Sequence, residues 1–143
     1  MKRRPRLLLI DDDETIATGM KDILEAGGIK VFWRSSVITL PLEMRSINPD
    51  LILLDLSMPA LSGTLLLEAG VRRILRSDAP IALFSGRSPQ ELSQLTEQYG
   101  LAGFISKSDE LAEVVCSIQV MLRNAAVSKG GHRATIDATR SAA

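Results

Sequence analysis

Five short apolar runs, almost free of polar residues, constrain this chain more than any other feature. They are LLLI (7–10), VFW (31–33), LILL (51–54), IALF (81–84) and GFI (103–105). Four of the five are continuous rather than alternating, as strands covered on both faces of a parallel sheet are. Parallel strands need long crossovers, and the segments between these runs have a helical period. Residues 14–26 set Ile16, Met20, Ile23 and Leu24 on one face, and Gly27-Gly28 ends that helix. Further helices are predicted over 36–47, begun or kinked by Pro41, and over 63–76, 89–99 and 109–124. Ser88, Pro89 and Glu91 form a capping box for the helix over 89–99. The last helix carries Leu111, Val114, Val115, Ile118 and Met121 on one stripe, with Ser108 as its cap. Five βα units joined by right-handed crossovers make a five-stranded parallel sheet with helices on both faces.

The core of such a sheet is aliphatic here, since 45% of residues are apolar and only 3% aromatic. Lys plus Arg and Asp plus Glu both number 17, so bulk charge gives no reason to expect nucleic-acid or membrane binding. Cys116 is the sole cysteine, which leaves no disulfide framework or zinc cluster and fits a cytoplasmic setting. The opening MKRRPRLLLIDDD has an apolar run too short for a signal peptide, and no window approaches a membrane span. Residues 1–124 read as one domain and 125–143, where the periodicity fails, as a frayed or disordered tail. His132 falls in that tail, Cys116 reads as packing, and Trp33 as structural and distant from any site.

Chemistry enters directly after the runs. Asp11, Asp12 and Asp13 follow LLLI, Asp55 follows LILL, Ser85 follows IALF, and Lys107 follows GFIS. In a parallel sheet these positions share one edge, where open α/β sheets bind ligands. Crowded carboxylates repel and need a cation, and an oxygen-only donor set suits Mg²⁺. A lysine opposite adds a second positive charge, so the group is suited to neutralise a phosphoryl group in transfer. Asp55 then has the place of a carboxylate nucleophile, and the turn after it frees a backbone carbonyl near Ser57 as a further metal ligand.

Over residues 5–124 the chain resembles the response regulator receiver domains of two-component signalling. The resemblance rests on the acidic cluster after the first run, DLSMP with Gly63, FSG, and ISK. The separations of 30 residues from Asp55 to Ser85 and 22 from Ser85 to Lys107 also look like the family's. It implies a flavodoxin-like sheet of order 2-1-3-4-5, an order for which a chemotaxis receiver serves as a general example. It further implies that Asp55 is the phosphoacceptor, Asp12 a direct Mg²⁺ ligand and Asp11 a supporting one. Asp13 then caps the first helix. Ser85 is the switch hydroxyl, Lys107 binds the phosphoryl group and Phe104 holds the aromatic switch position. Ser57 and Arg87 tune phosphoryl lifetime, and Met58 and Pro59 shape the turn. The donor is a histidine kinase or phosphotransfer protein. Output passes through a surface over 89–124 to another protein or a second copy, as expected of a single-domain regulator.

Two positions depart from the family pattern. Ser108 follows the lysine where a proline in a cis bond is common, and Ser62 stands where an Asp often precedes the glycine. Two other functions compete. LLLIDDDET also resembles the first motif of haloacid dehalogenase-type phosphatases, with Asp11 as nucleophile and Asp13 as acid/base. That family needs a late acidic pair, whereas SDE at 108–110 only opens a helix. The other is a receiver fold serving as an unphosphorylated interaction module, against which the intact acid–Ser–Lys set speaks.

Overall fold

The computed structural model describes residues 3–58 and 63–141. Pro59 and Ser62, singled out above, lie outside the described residues. Each apolar run forms a strand: β1 (Arg6–Ile10), β2 (Lys30–Arg34), β3 (Leu51–Asp55), β4 (Ile81–Ser85) and β5 (Gly103–Ser106). All neighbouring pairs are parallel, and the order is β2-β1-β3-β4-β5. The central strands β3 and β4 are buried at every position, while the edge strands are only partly covered. That difference explains why the central runs read as continuous: both faces meet helices.

Side-chain alternation divides the core in two. Leu8, Ile10, Ile52, Leu54, Ile81 and Leu83 face one layer, made of α2 (Leu40–Ile47), α3 (Gly63–Ala69), α4 (Val71–Leu75) and α5 (Pro89–Gln98). Leu7, Leu9, Leu51, Leu53, Ala82, Phe84 and Ile105 face the other, made of α1 (Glu14–Ala26) and α6 (Leu111–Ser141). Strand order reverses between β1 and β3, which places a crevice at their C-terminal ends.

Several helices differ from their sequence-based spans. α2 starts at Leu40 rather than 36, with Pro41 in its first turn. This fits proline, which lacks an N–H and tolerates only the start of a helix. The helix expected over 63–76 is two, broken at Gly70, whose φ of +89° lies in the left-handed region. Ser88 does cap α5, accepting from the Glu91 N–H (3.2 Å), but the Glu91 carboxylate takes Arg87 (3.1 Å) instead of closing a box. Ser108 does not cap α6: its hydroxyl pairs with that of Ser106 at 2.6 Å. On α1, Ile23 is 42% exposed, and Ala17 takes its place beside Met20 and Leu24. On α6 the buried stripe is Val114, Ile118 and Leu122, with Leu111 exposed. The backbone of α6 stays helical to Ser141, across residues where a frayed tail was expected. Its window Leu111–Ser128 has a mean hydropathy of 1.2, so it meets the length and composition of a span after all. The apolar stripe of that window seats on the sheet. Among the described residues no peptide bond is cis, so Lys107–Ser108 is trans.

Candidate functional site

Four strand ends build the site. Asp11 directly follows β1, Asp55 and Ser85 are the last residues of β3 and β4, and Lys107 directly follows β5. Each is carried there by a strand whose preceding residues are locked in the core. The Lys107 N–H donates to the Ser85 carbonyl (2.9 Å), continuing the β4–β5 pairing one step past the strand. This brings the ammonium back over the crevice, with Nζ 5.3 Å from the centroid of the Phe84 ring.

Lys107 Nζ lies 2.9 Å from Asp11 Oδ2 and 3.4 Å from Asp55 Oδ2. Asp11 and Ser85 are fully buried, and Asp55 is 1% exposed. The Asp13 N–H donates to Asp11 Oδ1 (2.9 Å), and the Ser57 N–H donates to Asp55 Oδ1 (3.0 Å). Both acids are therefore held by one oxygen, with the other turned to the lysine. Burial pushes the Asp55 carboxyl above the ordinary range. The Ser57 N–H opposes this, the Asp11 charge adds to it, and Lys107 offsets only part. Burial pulls Lys107 down, but the Asp11 and Asp55 carboxylates outweigh it and hold the ammonium above its usual value.

Asp11, Asp12 and Asp55 each offer an oxygen within 4.8 Å of the others, and Asp12 is exposed toward solvent. The donors are all hard oxygens. The buried Asp11 Oδ2 has no aligned hydrogen-bond donor despite its short contact to the ammonium. An open, three-carboxylate set with one under-satisfied buried oxygen fits a small divalent cation such as Mg²⁺.

The other sequence-derived residues are placed as follows. Asp13 caps α1, accepting from the Ile16 N–H (3.2 Å). Ser85 Oγ accepts from the Arg87 N–H (3.1 Å). Arg87 points its guanidinium to Glu91 on α5 (3.1 Å), not toward the acids. Phe104, paired in register with Leu83, is half-buried against the layer that includes α5, on the face Ser85 shares by alternation. Ser57 itself is exposed and meets Asp55 through its amide.

Trp33 departs from its sequence reading. Its indole N–H donates to the Asp11 carbonyl (2.7 Å), so it is not distant from the site. Only the lateral pairing of Leu9 with Trp33 in the β1–β2 register brings it there, and no spacing along the chain encodes that.

A family model described as the response regulator receiver domain matches residues 7–119. The chain is 36% identical over 117 residues to the response regulator UvrY of Escherichia coli, covering 79% of this chain and 52% of that protein. It is 29% identical over 122 residues to the transcriptional regulatory protein PrrA of Mycobacterium tuberculosis, covering 83% of this chain and 50% of that one. It thus spans about half the length of these curated relatives. Among solved structures, the non-phosphorylated HemR receiver domain of Leptospira biflexa superposes with a TM-score of 0.70 at 28% identity, covering 83% of this chain and 94% of that one. A CheY-like receiver domain protein of Methanospirillum hungatei gives 0.73 at 25% identity, covering 87% and 98%. With the matched segment taking in all five strands save Arg6 and every residue of the acid–lysine cluster, the chain belongs to the response regulator receiver domain family.

Proposed function

We propose that this chain accepts a phosphoryl group on Asp55 in an Mg²⁺-dependent reaction and converts that event into a change of a protein-binding surface. One observation carries the proposal. Asp55 shares its burial, its contact with the lysine and its amide-held oxygen with Asp11, but it stands alone at the end of the central strand β3, between the Asp11–Asp12 pair after β1 and Ser85 at the end of β4. In the step, an Asp55 oxygen attacks phosphorus, the bond from phosphorus to the donor's histidine nitrogen breaks, and an acyl phosphate forms. Reversal to the free acid needs water to attack phosphorus, releasing phosphate and restoring the carboxylate. Asp12 and Asp55 directly, Asp11 in support and the Ser57 carbonyl would hold the cation. Bound there, Mg²⁺ supplies charge neutralisation for the phosphoryl oxygens. Lys107 holds the phosphoryl group from the other side and, with its raised pKa, stays protonated throughout the neutral range. The ionised acid attacks without a base, and the electron pair of the broken bond goes to the donor's imidazole, which leaves neutral because its other nitrogen carries a proton.

The donor is a histidine kinase or phosphotransfer protein, as for the family. The Ser85 hydroxyl turns to the new acceptor, and Phe104, on the same face, moves into the space behind it. Residues 89–124 form the responding surface, for another protein or a second copy. Ser57 flanks the path of the attacking water, and Arg87 does so once its guanidinium leaves Glu91. Acetyl phosphate with Mg²⁺ tests the reading: one phosphoryl group mapped by mass spectrometry to Asp55, and none in Asp55→Asn. Labelling at Asp11 would replace it with a phosphatase-like chemistry, and no labelling would leave an interaction module.

A further inference from the structure

The end of β2 grips Asp11 by both sides of its main chain. The Asp11 N–H donates to the Arg34 carbonyl (3.1 Å), and the Trp33 indole N–H donates to the Asp11 carbonyl (2.7 Å). Trp33 is itself braced, since Arg34 Nη1 donates to the Trp33 carbonyl (2.8 Å). The rest of that guanidinium forks onto Glu43 of α2, with Nε at 3.2 Å and Nη2 at 3.0 Å from Oε1. Asp12 presents the contrast. Its carboxylate makes no hydrogen bond or ion pair among the described residues, though it stands in the three-acid cluster. With no side-chain partner, that carboxylate is held in the cluster only through the backbone that carries it.

We infer that Trp33 is a positioning residue of the cation site: its bond to the Asp11 carbonyl fixes the Asp11–Asp12 peptide and so the place of the Asp12 carboxylate. The inference rests on the assignment of Asp11, Asp12 and Asp55 as an Mg²⁺ site. Without a cation the three carboxylates repel, and Asp12, exposed and unheld, is the one free to splay outward. Turning the peptide that carries Asp12 would require breaking the indole bond. Holding a ligand in place before the ion arrives removes an ordering cost from binding, so the benefit falls on affinity. Trp33 also packs against the layer of α1, while its neighbour Phe32 packs against the opposite layer and has no donor to offer Asp11, so the two residues separate packing from the hydrogen bond.

Mg²⁺ titrations followed by backbone amide and indole N–H resonances test this, with Phe32→Leu as the packing control. In the wild-type chain the indole resonance is expected to shift along the same isotherm as the amides of residues 11–13. Trp33→Phe keeps an aromatic ring and removes the donor, and is expected to bind Mg²⁺ about threefold to tenfold more weakly, the worth of one hydrogen bond. Phe32→Leu is expected to bind Mg²⁺ as wild type does, even where urea unfolding shows the larger loss of stability. If Trp33→Phe fails to fold, benzothienylalanine at position 33 keeps the shape of indole without its N–H. Wild-type affinity in the donor-free chain, equal weakening by both variants or an indole resonance indifferent to Mg²⁺ overturns the positioning role while the cation site stands. A wild-type chain that binds no Mg²⁺ overturns the cation site itself, and this inference with it.

Discussion

Asp55→Asn keeps the shape of a 1% exposed side chain and deletes its charge. The Ser57 N–H retains an acceptor in the amide oxygen, so the 3.0 Å bond can persist. Three Coulomb terms and one solvation term change, of which the repulsion from solvent-exposed Asp12 is the most screened and only adds to the side against the charge. With oxygens within 4.8 Å, Asp11 repels Asp55 by about 3.5 kcal/mol at an effective dielectric of about 20. Lys107, at 3.4 Å, attracts it by about 5 kcal/mol on the same scale. Together the pairs favour the ionised acid by at most about 1.5 kcal/mol, whereas burial costs an ion several kcal/mol. Burial wins, which is the direction in which the carboxyl is shifted. The neutral amide therefore stabilises the Mg²⁺-free protein by about 1–2 kcal/mol at neutral pH. The pH dependence has a definite sign. An acid whose folded pKa is raised costs stability as pH climbs from its unfolded value through its folded one. The advantage of the variant therefore grows as pH rises from the unfolded value through the raised folded one and vanishes below about pH 4, where both states hold the proton. Magnesium acts the other way, since a tenfold excess over Kd adds about 1.4 kcal/mol to the wild-type chain. Urea unfolding followed by the single tryptophan, in chelator and in Mg²⁺ between pH 4 and 8, measures both effects. A variant less stable than wild type in chelator at neutral pH would show that the lysine outweighs burial, and would refute the reasoning.

Lys107→Ala strands two buried carboxylates. It should cost about 2 kcal/mol in chelator at neutral pH, below the usual 3–5 for a broken buried pair because the lysine side chain is 20% exposed. Since its pKa is raised, the lysine's contribution is complete below its ordinary value and is lost above the folded one, so unfolding curves of variant and wild type should converge only in strong alkali. Arg87 is tied to Glu91 by an exposed i,i+4 pair of about 0.5 kcal/mol at most, so Glu91→Ala should free it and lengthen the life of phosphorylated Asp55, and Arg87→Ala should shorten it. Decay of labelled protein measures both, and equal rates in all three chains would dismiss Arg87 from the site. Gly70→Ala places a Cβ at φ +89° and should lower stability by more than 1 kcal/mol, read from the urea midpoint; an unchanged midpoint would mean the α3–α4 break is not strained by a side chain.

The strands and their order of polar endings were legible because a sheet covered on both faces leaves uninterrupted apolar runs in the sequence. Asp11, Asp55 and Ser85 stand out for the same reason, each being the first polar residue after such a run, and Lys107 follows one residue past the last of the runs, after Ser106. What escaped depended on competition between partners. Glu91 had two uses, the backbone behind it or Arg87 four residues earlier, and the ion pair prevailed. Ser108 had a helix to cap and a neighbouring hydroxyl to meet, and it met Ser106. Gly70 stood in plain view within a leucine-rich stretch, but only tertiary packing decides whether a glycine is tolerated in a helix or breaks it. Trp33 was the largest omission, since its partner lies 22 positions earlier, just past the end of another strand.

The two edges of the sheet differ in how they can be cut and rejoined. Everything chemical sits at the C-terminal ends of β1, β3, β4 and β5, contributed by four separate junctions. The opposite edge is crossed by the turns around 27–29, 48–50, 77–80 and 100–102, which carry none of these groups. Joining the old termini and opening new ones at 100–102 would leave the acids and the lysine in their places. The same operation at 56–58 would detach Asp55 from the amide that holds it. The fold thus separates a rim open to rearrangement from one where the order of the chain is fixed, and grafted segments belong on the first.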